Sequence, residues 1–247
     1  AVAHAFADVI FKGLLFMAMG AVLHRTGRTL GTDLGGLYKT MPITTVLCVI
    51  GAASISAMPL FSAFVTKSMI MTAALHEGKD WLWFLLLFAS AGVLEHAGIK
   101  IPYFAFFAHD SGIRTTEPPR NMLAAMTLSA LGCIAIGCFP QVFYRLLPYV
   151  TDYAQYIASH CVTQIQLLAF AALAVVVLIQ TGVYPPEVRS VNLDAEYLQR
   201  RLLPDACRAV GGTVLGVWQF LCAIGVAIVD VVVTLAKHTH DRRGVLG

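Results

Sequence analysis

Three ionisable residues near the start of the chain stand four apart: His4, Asp8 and Lys12. In a helix a step of four is about one turn, so the three share a face. The residues around them are apolar through Val22, the pattern of a membrane-crossing helix. A charge at the bilayer centre costs roughly 2.5–3.5 kcal/mol by insertion scales. Three such groups on one stripe therefore suggest a buried polar track, with Asp8 as the natural partner of Lys12. A lysine whose proton affinity a neighbour can move is a proton carrier. The competing reading is a static ion pair that fixes helix packing.

Lys67 is the next candidate. It lies two turns beyond Pro59, in a segment from 42 to about 76 that is too long for one straight span. Proline removes a backbone donor and clashes with the preceding turn. The stretch Ser54-Ile55-Ser56-Ala57-Met58-Pro59 is thus expected to break the helix. Such breaks are tolerated in a membrane only where protein or water satisfies the freed backbone groups, and transporters use them at ion sites. Glu95, His96 and Lys100 form a further possible relay group, against which stands a position near the interface, since Pro102 follows. His160 with Gln164 reads as a packing or water contact. Asp230 is isolated in the last span, with Thr234 its near neighbour.

The chain has 247 residues, 58% hydrophobic and 13% charged, with a mean hydropathy of +0.74. About a quarter of an average soluble domain is charged. The expected class is therefore all-α: a polytopic transmembrane helix bundle in the lipid bilayer, with about six spans, one of them a broken (discontinuous) helix. A net charge of +3, small and scattered, argues against nucleic acid. Cys48, Cys133, Cys138, Cys161, Cys207 and Cys222 include no C-x-x-C pair and read as packing residues. No metal and no cofactor is expected. Phosphate loops and nucleophile–base motifs are not evident either, so an enzyme with its own bond-making chemistry is not expected.

Apolar windows place spans at about 2–23, 42–76 with its break, 81–107, 122–139, 167–179 and 210–235. A polar connection covers 28–40, and the loop 109–120 carries Pro118-Pro119. Residues 149–163 are amphipathic. Residues 192–208 alternate charges with Leu and Tyr at helical spacing, which suits an interfacial helix. Residues 1–247 are expected to form a single membrane domain. Charges between Arg25 and Lys39 favour a cytoplasmic location for that side, whereas Lys237, Arg242 and Arg243 pull the other way. The sequence begins inside an apolar helix, as a fragment or a shortened relative of a larger protein would.

Four phrases occur in order: Phe11-Lys12-Gly13-Leu14-Leu15-Phe16, Leu34-Gly35-Gly36-Leu37-Tyr38-Lys39-Thr40-Met41-Pro42, the Ser54–Pro59 stretch, and Phe64-Val65-Thr66-Lys67. They strongly resemble the proton-conducting antiporter-like subunits: the D-type member of Mrp-type multisubunit sodium/proton antiporters, and the related membrane-arm subunits of complex I. Gly98-Ile99-Lys100-Ile101-Pro102-Tyr103-Phe104 and Val191-Asn192-Leu193-Asp194-Ala195-Glu196 look similar to bacterial D-type subunits. The resemblance implies inverted repeats, each with a broken helix and a buried lysine or glutamate. Residues 1–110 would be a portion of the second repeat, and 111–247 the C-terminal helices. Lys12 matches the family's central-axis lysine and Lys67 the lysine of the second broken helix. The chain departs in two places. Asp8 stands where relatives usually carry histidine, with His4 a turn further back, and Glu95 stands where an apolar residue is expected.

Two functions follow as expectations. The first is a proton-conducting component of a multisubunit cation/proton antiporter or complex I-like assembly. Protons, exchanged for sodium in one version, would be relayed through His4, Asp8, Lys12 and Lys67. It would sit in a bacterial inner (cytoplasmic) membrane with other membrane subunits as partners. The alternative is a non-conducting structural membrane component: a truncated antiporter-like fragment filling an interface in a respiratory or photosynthetic complex.

Overall fold

In a computed structural model, residues 2–149, 151, 153–183 and 195–240 are described. Tyr184-Pro185-Pro186, the start of the expected interfacial helix at 192–194, and Arg242 with Arg243 lie outside them. The described residues form helices without strands: α1 Val2–Thr26, α2 Pro42–Ile55, α3 Ser62–His76, α4 Asp80–Phe107, α5 Arg120–Cys138, α6 Pro140–Tyr144, α7 Ala158–Gln180 and α8 Leu203–His240. Five of the helical stretches are long and apolar enough to cross a membrane, and α2 is a shorter apolar helix. This is a multi-pass membrane protein.

The chain divides into two compact units at residue 188. In the first, α1 is the central element and packs on α2, α3 and α5. Its buried residues Ala7, Phe11, Leu14, Ala18, Ala21 and Val22 recur at three- and four-residue steps. They meet Leu47, Cys48 and Ala52 of α2, Phe64 of α3, and Met126, Ala130 and Cys133 of α5. Lipid tails are as apolar as these side chains, so close packing rather than the hydrophobic effect holds the helices together. In the second unit, helical residues from Ala195 run without interruption into α8.

The expected break is present. α2 ends at Ile55, and Ala57 takes a left-handed φ of 57° while the Met58 N–H bonds back to the Ala53 carbonyl at 3.1 Å. This is a Schellman-type stop, with Pro59 just beyond it. Leu60 is also left-handed, at φ 75°. Non-glycine residues pay of order 1–2 kcal/mol each in that region, so the surroundings must hold the break open. Tyr156 does so: its hydroxyl accepts from the Leu60 N–H at 3.2 Å and donates to the Gly137 carbonyl at 2.6 Å. The Cys138 thiol reaches the Leu60 carbonyl at 3.7 Å. The freed backbone groups are satisfied from α5 and from the segment of chain leading into α7, as a membrane interior requires.

Polar residues tie together the end of the bundle where α1 and α4 finish and α2 and α5 begin. The Glu117 carboxylate accepts from the Ile43 N–H at 2.6 Å and the Thr44 hydroxyl at 2.6 Å, capping α2, while Arg25 Nε donates to the Glu117 carbonyl at 2.9 Å. Asp110 accepts from Arg114 at 2.8 and 2.9 Å, from Lys39 at 2.9 Å and from the Gly112 N–H at 3.0 Å. Arg114 first, then Lys39, hold the Asp110 carboxyl well below the usual carboxylate range. A depressed folded-state value means that its contribution is present above the ordinary carboxylate pKa and is lost as pH falls below it. Asp110→Asn is expected to raise the rate of tryptic cleavage at Arg114 several-fold at neutral pH. In the unsubstituted chain, hydrogen exchange of residues 110–114 should stay slow down to about pH 4.

Candidate functional site

The site is built by α1, α3 and α4. A cavity of about 270 Å³ is lined by His4, Asp8 and Lys12 of α1, Lys67 of α3 and Ser90 of α4, with Phe11, Ile55, Ile70, Met71, Leu86, Ala89 and Val93 supplying apolar wall. At roughly 30 Å³ per water, that space takes several molecules. The structure therefore brings together all four residues expected to form the relay. Pro59 lies at the break, just upstream of α3.

Lys12 Nζ and Asp8 Oδ2 are 2.8 Å apart, and the side chains keep 52% and 30% of their surface within this chain. A spacing of four aligns them on one side of α1. His4 Nδ1 and Thr66 Oγ1 are 2.9 Å apart, and the Thr66 hydroxyl donates to the Ser62 carbonyl at 3.3 Å. Either atom of the His4–Thr66 contact can be the donor, according to the tautomer of the imidazole. Lys67 Nζ donates to Ser90 Oγ, and Ser90 is 4% exposed. The arrangement offers an ammonium–carboxylate pair, an imidazole and a second ammonium around one water-sized space. Proton exchange between them needs no bond other than O–H and N–H to be made or broken.

Sequence reasoning missed Thr66 and Ser90. The available signal was a hydroxyl within an apolar helical run, which is worth little by itself because Ser and Thr commonly bond back along their own helix. Thr45, Ser54 and Ser68 do so here.

Glu95, His96 and Lys100 do not line the cavity. Glu95 Oε1 and Lys100 Nζ are 3.8 Å apart, and His96 is exposed. His160 packs its ring 5.1 Å from that of Phe64, and its Nε2 is buried without a hydrogen-bond partner among the described residues, as is that of Gln164. Asp230 is contacted by Thr234 through its backbone carbonyl, at 2.8 Å, not through its carboxylate. The six cysteines are free thiols, Cys48 and Cys133 buried.

The chain has known relatives. Residues 1–93, which hold every charged residue of the cavity, match the family described as NADH:quinone oxidoreductase/Mrp antiporter, transmembrane. The resemblance read from the sequence holds over that antiporter-like segment. The chain is 31% identical over 150 residues to the A/B component, named as probable, of a K(+)/H(+) antiporter from Rhizobium meliloti, covering 57% of this chain and 15% of that one. It is 27% identical over 153 residues to NADH-ubiquinone oxidoreductase chain 5 of Elephas maximus, covering 60% and 25%. The matched stretches thus span a quarter or less of these relatives. Among solved structures, a chain of the membrane-bound sulfane sulfur reductase, an archaeal respiratory membrane complex, superposes over 98% of this chain and 44% of its own, with a TM-score of 0.56 and 19% identity. That likeness is one of fold.

Proposed function

We propose that this chain is a proton-conducting component of a multisubunit cation/proton antiporter or complex I-like assembly. The observation that carries the reading is the placement of His4, Asp8, Lys12 and Lys67 around one cavity beside a broken helix. Protons enter the cavity water, exchange at the His4 imidazole and the Asp8–Lys12 pair, and pass to Lys67, which Ser90 holds in its resting place. Alternation in the neighbours of each ammonium sets when it gives up its proton. The chain itself makes no covalent chemistry. The name of the Rhizobium relative supports potassium as the exchanged ion, and the resemblance to Mrp-type antiporters supports sodium. Both support other membrane subunits as partners in the bilayer and a bacterial cytoplasmic membrane as the location.

A second reading has one observation in its favour. Asp8 and Lys12 are already directly paired at 2.8 Å, and a closed ion pair also serves as packing in a non-conducting structural subunit. Lys67→Met separates the two. Methionine keeps the length and apolar bulk of the side chain, so assembly of the complex, read on a native gel, should be unchanged. Proton flux into everted membrane vesicles should fall at least tenfold, on the order expected for loss of an intramembrane proton carrier. Flux above half of the original with full assembly would move the assignment to the structural reading.

A further inference from the structure

The C-terminal part of α4 is not an α-helix. Leu94–Lys100 and Tyr103–Phe107 are π-helical, and the Ala108 N–H bonds to the Tyr103 carbonyl five residues back, at 2.7 Å. Such stretches hold an extra residue relative to an α-helix and are concentrated at functional sites. Four residues before the first of them stands Ser90, the group that Lys67 touches.

The pair that spans this stretch is the informative one. Glu95 and Lys100 are five apart, and their charged atoms are 3.8 Å from each other. At 3.6 residues per turn, positions five apart point about 140° away from each other, and only neighbours three or four apart meet. The i→i+5 bonding of a π-helix winds the chain more slowly, so residues five apart lie closer to one side of the helix than they do in an α-helix. The ion pair can therefore form in the π state and is lost when the stretch relaxes to α.

The downstream half of the stretch is anchored. A Cβ on Gly98 would collide with Ser56 Oγ, so the backbone of α4 is pressed against the end of α2, at the break itself. Ile99, Tyr103 and Phe104 face α7 residues such as Val175 and Ile179 across a shared cleft. With that side held, loss of the extra residue turns the upstream side by about one residue, or about 100°. The upstream side carries Ser90.

We propose that Glu95 and Lys100 are positioning residues: their charge pair locks a π-helical turn in α4, and that turn aims Ser90 at Lys67. Opening the lock withdraws Ser90 and frees the Lys67 ammonium for a new partner. The effect on flux rests on the proton-conducting reading above; the effect on Ser90 does not.

The test uses the full chain in native membranes, its six cysteines replaced, with Ser90→Cys as the reporter. Reaction of the introduced thiol with a small water-soluble methanethiosulfonate reads whether position 90 faces the cavity. Glu95→Gln should slow the reaction roughly two- to fivefold, the range that loss of one partly exposed ion pair supports. The exchange of both charges, Glu95→Lys with Lys100→Glu, should restore it. A Met71→Cys reporter on the α3 wall of the same cavity should not change in either background. An unchanged rate at position 90 in Glu95→Gln, a charge exchange that fails to restore it, or an equal fall at position 71 would overturn the proposal. These rates do not depend on flux, so failure of Lys67→Met to reduce flux would remove the conduction reading and leave this result to be judged separately.

Discussion

Gly137→Ala is expected to cost on the order of 3 kcal/mol or more, enough to prevent recovery of folded chain in mild detergent. A Cβ at position 137 would run into the Leu60 carbonyl group and stand 2.6 Å from Phe61 Cα. Both obstacles are backbone, so no side-chain rotation relieves them. The collision falls on the connection between α2 and α3, where Leu60 is already left-handed and where Tyr156 holds the Gly137 carbonyl and the Leu60 N–H together. Moving α5 away would strand those groups unpaired in a membrane interior, adding the desolvation cost of each. Gly132→Ala is the matched control. It lies on the same helix, and its added methyl would meet Ile10 Cγ2 at an ordinary 3.6 Å. In a heating series read by size-exclusion recovery, the midpoint for any Gly137→Ala chain that is recovered should fall by roughly 6–12 °C or more, and that for Gly132→Ala should stay near the unsubstituted value.

The same region shows what a sequence can and cannot convey. The break between α2 and α3 was legible because proline and the hydropathy run speak through the local backbone. The reason the break survives was not, since Tyr156 and Gly137 come from distant parts of the chain. His4, Asp8 and Lys12 were legible as a stripe because i,i+4 spacing on a helix is a fact of one element. Their meeting with Lys67 across helices rested on resemblance until the cavity joined them. Ser90 and Thr66 were hidden, because a hydroxyl has the same local signature whether it bonds its own helix or a neighbour's lysine. The π-helical stretch was equally hidden. Glu95, His96 and Lys100 read as one group on a helix, but the direct 3.8 Å pairing of Glu95 with Lys100, five residues on, departs from α-helical spacing and has no signature in the sequence.

Exchanging the charges of the first pair, Asp8→Lys with Lys12→Asp, is expected to separate conduction from packing more sharply than any single substitution. The pair sits at i,i+4 in either order, so the double variant keeps an ion pair on the same side of α1. Reversing the order costs only a few tenths of a kcal/mol through the orientation preference of helical pairs. Assembly should therefore persist. The ammonium, however, moves by four residues, about 6 Å along the axis, towards His4 and away from its original position in the cavity lining. A relay between Lys12 and Lys67 depends on where the ammonium sits, and proton flux should fall at least tenfold, as for other misplaced proton-transfer groups. A static pair has no such dependence, and flux through the complex would then be untouched by the exchange. Lys12→Met alone cannot make this distinction. It leaves the Asp8 carboxylate without its cation in a membrane-spanning helix, and an unpaired charge there disturbs assembly whether or not protons use the site. The double variant holds net charge, composition and pairing constant and changes only the depths of the ammonium and the carboxylate, so intact assembly with collapsed flux places the proton path at positions 8 and 12.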